Sequence, residues 1–214
     1  STGQTHNHRS QPVIREDPTL RKNFLSEKTH SLRCTSDNRA NPESKMYAFE
    51  AGRRAVEEHY KRLGIPATVE HGQFYGMYKT KYLWEEKPLI SIIIPNKDHT
   101  ADLKRCVQSI LDKSTYRNFE VLIVENNSVE SEIFEYYEEL KKLGNVKLLT
   151  YDGEFNYSKI NNFAAGKADG EYIVFLNNDT EIIADNWLEE LLMYAEREDV
   201  GAVGAKLYFN DNTV

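Results

Sequence analysis

The chain has 214 residues, 40% of them hydrophobic, and a formal net charge of −7, which allows one sizeable domain with an appendage, since domains commonly run to ~100–200 residues. The acidic balance excludes a sequence-independent nucleic-acid binder, which needs a basic stripe to displace counterions from phosphates; a small anionic ligand held by backbone amides, a lysine or a divalent cation stays open. No apolar run approaches the ~18–20 residues that cross a bilayer, and no charged-then-apolar signal opens the chain, so a cytoplasmic setting is expected.

Residues 1 to about 40 are polar, with few periodic apolar positions. They cannot bury enough surface to offset ordering entropy and are expected to form a loose arm, in which His6 and His8 are solvated polar sequence. A helix over 42–63 follows. Asn41 can cap it, Pro42 fits its first turn, Glu43 suits its positive end, and Gly64 with Pro66 closes it. Its apolar positions Met46, Phe49, Ala55, Val56, Tyr60 and Leu63 share a buried face. The stretch 67–84 is rich in Tyr, Phe, Thr and Val with Gly72 and Gly76 as punctuation, which predicts a short strand pair. Residues 41–87 thus form a prelude.

From Pro88 onward short apolar runs alternate with amphipathic stretches, the pattern of strand-helix units around a mostly parallel sheet. Strands are predicted at 90–94, 119–124, 146–150 and 172–176, each covered on both faces. Helices are predicted at 100–113, 129–143, 156–168 and 185–197, the last packing Trp187, Leu188, Leu191, Leu192 and Tyr194 inward. A further strand is predicted at 200–205. The fold class is therefore α/β, with the main domain at 88–214.

In an open α/β sheet, ligands bind beyond the carboxyl ends of the strands. Here those ends are polar: Pro95, Asn96, Lys97, Asp98 and His99 follow the first strand, Glu125, Asn126, Asn127 and Ser128 the second, and Asn177, Asn178, Asp179 and Thr180 the fourth. Any one cluster is equally well an ordinary turn, since Asn, Asp and Ser bond the local backbone. Three on one sheet edge converge on one crevice, where amides and carboxylates can read a base, a ribose and a metal-bound diphosphate.

Four segments, in order and spacing, carry a resemblance to a known family. They are Ser91-Ile92-Ile93-Ile94-Pro95-Asn96-Lys97-Asp98, then Val124-Glu125-Asn126-Asn127-Ser128, then residues 155–165, and Phe175-Leu176-Asn177-Asn178-Asp179-Thr180. From residue 88 to 214 the chain resembles the inverting family-2 glycosyltransferases of the GT-A (Rossmann-like) fold, which transfer a sugar from a nucleotide diphosphate. The resemblance implies that Pro95, Asn96 and Asp98 line the nucleotide pocket, that Glu125 or Asn126 reads the base, and that Lys159 meets phosphate and Asn161 the ribose or sugar. It implies a Mg²⁺ or Mn²⁺ at Asp179, the last acid of the family's Asp-x-Asp motif, with Asn177 and Asn178 beside it. One carboxylate with phosphate oxygens and waters is chemically adequate for such a hard ion. The implied partners are a UDP-, dTDP- or GDP-sugar and a saccharide acceptor of bacterial cell-surface polysaccharide, with any contact to the inner membrane face made by regions outside the chain.

An inverting transfer also needs a base for the acceptor's proton. The family's base lies downstream of its metal motif, and the resemblance breaks off at Val214 before that region, so the chain is expected to bind donor but to be deficient in transfer. Glu181 and Asp185 read as helix-start carboxylates. His99 reads as solvated or capping, the acidic run 130–139 as a solvated helix face, and Cys106 as core. Cys34 and Cys106 lack the dense spacing of a disulfide framework and read as reduced thiols. Two other readings are weighed. A nucleotidyltransferase shares the architecture but wants a glycine-rich basic loop after the first strand. A non-catalytic module binding sugar nucleotide or a partner fits the missing base and first acid.

Overall fold

The computed structural model describes residues 46–84, 86–209, 211 and 213. The expected arm, the helix start at Asn41, Pro42 and Glu43, and Cys34 lie outside the described residues. The first described helix, α1 (Met46–Leu63), closes at Gly64, whose φ of 69 is the left-handed turn that glycine adopts without a Cβ penalty. Strands β1 (Ala67–His71) and β2 (Tyr78–Tyr82) pair antiparallel, from Ala67 opposite Tyr82 to His71 opposite Tyr78. The helix lies on this hairpin: Phe49 stacks on Tyr75 at 5.1 Å, Tyr60 meets Tyr82 edge-on at 5.7 Å, and Arg53 donates to the Val69 carbonyl at 3.0 Å. Of the six apolar positions expected to be covered, Phe49, Val56 and Tyr60 are half-buried, whereas Met46, Ala55 and Leu63 are exposed. A hairpin of five-residue strands, roughly 17 Å long at ~3.4 Å per residue, is too short to cover an 18-residue helix that rises ~1.5 Å per residue.

The main sheet follows from the alternation of apolar runs. Its strands are β3 (Ile90–Asn96), β4 (Phe119–Glu125), β5 (Val146–Thr150) and β6 (Tyr172–Phe175), in the order β5-β4-β3-β6 and all parallel. Between and after them run α2 (Thr100–Lys113), α3 (Ser131–Leu140), α4 (Tyr157–Ala165) and α5 (Trp187–Ala195). Because successive strand residues point to opposite faces, Ile90, Ile92 and Ile94 pack with Leu103, Ile110, Ile133, Leu140 and Leu188 on one side, while Ile93, Leu122 and Val124 pack with Ile160 and Ala164 of α4 on the other. Each of the Ile, Leu and Val side chains contributes ~1.5–3 kcal/mol on burial. The fold class is the expected one, a parallel sheet flanked by helices.

Three expectations are corrected. Strand β6 is not covered on both faces: Ile173 and Phe175 are 39% and 51% exposed, because α4 lies over β3 and β4 and does not reach it. Residues 200–205 form no strand; Gly201 and Gly204 supply no side chain to pack, and the run finds no partner strand. In α5 the buried positions are Leu188, Leu192 and Met193. Tyr194 instead turns to the hairpin, edge-on to Tyr82 at 5.7 Å.

A buried carboxylate ties the amino end of the sheet together. Glu120, 5% exposed, accepts from Ser91 Oγ at 2.6 Å and the Asp169 amide at 2.8 Å, and pairs with Lys147 at 2.6 Å. Ser91 in turn accepts from the Gly170 amide at 2.9 Å. This approach needs glycine, since a Cβ there would lie 2.6 Å from the Ser91 backbone nitrogen.

Candidate functional site

At the opposite, carboxyl edge, β3 continues into α2 on one face while the crossover helix α4 to β6 occupies the other, which makes the gap between β3 and β6 the point where the winding of the sheet reverses and ligands bind. The loops bordering it hold the non-glycine residues with left-handed backbone among those described: Asp98 (φ 55), His99 (φ 52) and Asn127 (φ 59). Asn, Asp and His tolerate that conformation better than most residues.

A polar network joins the strand ends. Asn96 is 3% exposed, Glu125 6% and Asn126 2%, and buried polar groups at such depth need partners. The Glu125 carboxylate accepts from the Ser128 amide at 2.6 Å, the Ser128 hydroxyl at 2.6 Å and the Tyr137 hydroxyl at 2.6 Å. Asn96 donates to the Tyr137 oxygen at 2.9 Å and to the Asp98 carbonyl at 3.0 Å. From the far side of the crevice, Asn178 donates to Asn96 Oδ1 at 2.7 Å. Asp98 Oδ1 accepts the Val129 and Glu130 amides at 2.7 and 2.9 Å, bracing the turn that leads into α3. Those two amides hold its carboxyl below the usual aspartate range. Asn126 turns toward the loop after β5, donating to the carbonyls of Tyr151 and Gly153 at 2.8 and 2.9 Å.

The structure thus brings Asn96, Glu125 and Asn178 into one network with Asp98 attached, and sets Asn126 against its rim. Pro95 is half-buried beside them, opposite Val124 in the register. Tyr137, which lies within the acidic run 130–139 read above as a solvated helix face, stands at the centre. Burial first, and then the hydrogen bond to Glu125, push its phenol above the ordinary range. Beside the network lies a cleft of about 290 Å³ lined by Glu125, Asn127, Phe134, Tyr137, Thr150 and Asp152 among others.

Asp179 and Asn177 are exposed and Asn178 is half-buried. Among the described residues no three His, Cys, Asp or Glu side chains form a metal cluster. What Asp179 and its neighbours offer is one free carboxylate and amide oxygens, hard donors of the kind Mg²⁺ and Mn²⁺ take together with waters and phosphate oxygens, so the donor set fits such an ion. The turn is braced from below by Cys106, whose thiol donates to the Asn177 carbonyl at 3.6 Å. Burial, and then the Asp179 charge, push that thiol up to about 12, so Cys106 is core, as expected.

Helix α4 starts at the same edge. Asn156 Oδ1 accepts the Lys159 amide at 3.0 Å, an N-cap whose loss in Asn156→Ala is expected to cost about 1 kcal/mol, measurable as a lower urea midpoint. Lys159 itself is exposed. Asn161 is 4% exposed; its amide nitrogen turns back to the Tyr157 carbonyl at 2.9 Å and its buried Oδ1 has no partner among the described residues. Neither side chain bonds to the Asn96–Tyr137–Glu125 network. His99 opens α2 without a side-chain cap and is solvated. Glu181 is not a helix-start carboxylate: it pairs with Lys113 at 3.0 Å. Helix α5 begins at Trp187 with Glu189 and Glu190 in its first turn, so those two acids, rather than Glu181 or Asp185, meet its positive end.

Residues 91–214 match the model of the family described as "Glycosyl transferase family 2". The O-antigen biosynthesis protein RfbC of Myxococcus xanthus is 44% identical over 167 residues, a match spanning 78% of this chain and 13% of that protein. The protein y4gI of Sinorhizobium fredii is 41% identical over 183 residues, spanning 85% of this chain and 20% of the relative. The chain therefore matches a fifth or less of either relative's length. Among solved structures, the mannosyltransferase PcManGT of Pyrobaculum calidifontis, in complex with GDP-Man and Mn²⁺, aligns with a TM-score of 0.48 at 19% identity, over 74% of this chain and 44% of that one.

Proposed function

Because the chain belongs to glycosyl transferase family 2, we propose that its crevice between β3 and β6 is the donor site of an enzyme that moves a sugar, with inversion, from a UDP-, dTDP- or GDP-sugar to a saccharide acceptor in bacterial surface-polysaccharide assembly. The observation that carries this reading is the Asn178–Asn96 hydrogen bond of 2.7 Å, which draws the polar ends of β3 and β6 to one point at the reversal of the sheet. Asp179, with the oxygens of Asn177 and Asn178, would hold Mg²⁺ or Mn²⁺, which as a Lewis acid offsets charge developing on a leaving diphosphate. Around it the chain's own residues position the ligand. The half-buried Pro95 and the loop capped by Asp98 form one wall. Asn126 and the cleft beside Glu125 lie where a base would rest, Lys159 supplies positive charge at the start of α4, and the unpartnered Asn161 Oδ1 can accept a hydroxyl of ribose or sugar. The role of base is assigned to none of the described carboxylates.

Calorimetric titration with UDP, dTDP and GDP, each with and without Mn²⁺, tests the reading. Metal-dependent binding of one nucleotide is the expected result and identifies the base. If none of the three binds under either condition, the donor-site reading is wrong and an interaction module takes its place.

A further inference from the structure

Tyr137 lies on α3, away from the three strand-end loops in sequence, yet among the described residues its hydroxyl is the side-chain group hydrogen-bonded to both Glu125 and Asn96. The direction of each bond is forced by chemistry. An ionised carboxylate only accepts, so Tyr137 donates to Glu125, and its oxygen is left to accept from Asn96. With the Asn96 nitrogen committed to Tyr137 and to the Asp98 carbonyl, its Oδ1 must face Asn178, which answers with its own nitrogen at 2.7 Å. The amide orientation of Asn178 is thereby set, and its Oδ1, which accepts no hydrogen bond from the described residues, is left free one residue before Asp179.

We propose that Tyr137 is a positioning residue for the metal side of the donor site: through Asn96 it orients the amide of Asn178 so that Asn178 presents an oxygen, and not a nitrogen, beside Asp179. The inference rests on the donor-site reading above and adds to it a residue outside the crevice that tunes metal affinity. Without the hydroxyl, the Asn96 nitrogen keeps only the Asp98 carbonyl, at 3.0 Å, so the hold on its orientation weakens and the Asn178 amide turns its nitrogen toward the cation more readily. The consequence falls on metal binding first, with a smaller effect on the base side, because Tyr137 and Glu125 also line the cleft assigned to the base.

The test measures Mn²⁺ affinity at a saturating concentration of whichever nucleotide binds the unsubstituted chain. Tyr137→Phe is expected to weaken Mn²⁺ binding about 10- to 100-fold, the range for residues that orient metal ligands, a larger factor than its effect on metal-free nucleotide affinity. Tyr136→Phe, which removes a neighbouring buried hydroxyl from the same helix, is expected to change neither. Asn178→Asp should raise Mn²⁺ affinity by more in the Tyr137→Phe background than in the unsubstituted chain, because a carboxylate offers oxygen in either orientation and removes the need for Tyr137; a merely structural role for Tyr137 predicts equal gains. The proposal falls if Tyr137→Phe binds Mn²⁺ like Tyr136→Phe, or if the two gains are equal. Should Tyr137→Phe not fold, Asn178→Ala decides: with Tyr137 intact, loss of the oriented amide oxygen should weaken Mn²⁺ binding, and undiminished affinity overturns the proposal. If the unsubstituted chain shows no metal-dependent binding at all, the donor-site reading fails first and takes this inference with it.

Discussion

Asp179→Asn is expected to weaken Mn²⁺-dependent nucleotide binding by at least ~100-fold, about 2.7 kcal/mol, while leaving the melting temperature unchanged. The size follows from the donor set. Asp179 is the one carboxylate of the turn after β6, and no cluster of three metal-binding side chains exists among the described residues to take over. Exchanging its charge for an amide of the same shape removes the main electrostatic attraction for a divalent ion in a site that otherwise offers only neutral oxygens and ligand phosphate. Stability should not move, because Asp179 is exposed and substitutions at such sites usually stay within ~0.5 kcal/mol. The comparison is made by calorimetry with and without Mn²⁺. A variant that binds the nucleotide with undiminished metal dependence would remove Asp179 from the site.

The largest loss of stability is expected from Glu120→Gln, of about 2 kcal/mol, the scale of hydrogen bonds lost at a buried charged group. Its carboxylate, on β4, binds Ser91 of β3, Lys147 of β5 and the amide of Asp169 before β6, so one side chain joins the amino ends of four strands. The effect has a pH signature. Burial alone would raise the Glu120 pKa, but Lys147, Ser91 and the Asp169 amide together bring it below the ordinary 4.5. A carboxyl depressed in the folded state contributes its full stabilisation above the unfolded value and loses it as pH falls through the folded one. Urea unfolding of both proteins should therefore show a gap that is constant at neutral pH and narrows only below about pH 4.5. Because Glu120 sits at the end of the sheet opposite the crevice, nucleotide affinity of the folded variant should be unchanged. A gap that persists undiminished at low pH would mean that packing, and not charge, is what Glu120 supplies.

Much of this arrangement can be read from residue order. The runs at 90–94, 119–124, 146–150 and 172–176 appear as strands within two residues of their predicted ends, because β-branched and aromatic runs bounded by turn residues admit few other structures. The helix starts at Thr100 and near Asn156 follow in the same way. The polar clusters after β3, β4 and β6 were visible as candidates, since a parallel sheet puts its strand ends on one edge whatever the details. Those are local or topological facts, and the sequence by itself determined them.

Which atoms answer which could not be read so. Asp98, expected in the ligand pocket, spends an oxygen on the turn before α3. Glu125, expected to read a base, accepts three internal hydrogen bonds, and Glu120, hidden in an apolar run, is the clamp of the sheet. Hydrophobic periodicity reports only which face of an element is apolar. The partner of a buried polar group depends on strand order, register and the reach of a side chain across elements distant in sequence. Coverage is equally non-local: β6 reads like its neighbours but is bare on one face, because α4 lies over β3 and β4, and 200–205 stays unpaired because no described strand meets it. The sequence therefore decided the elements, their order and the edge at which ligands bind, through short-range propensity and apolar pattern. Only the tertiary structure decided the pairing of Tyr137 with Asn96 and Glu125, since a hydrogen bond between residues 41 positions apart exists only once the sheet has brought them together.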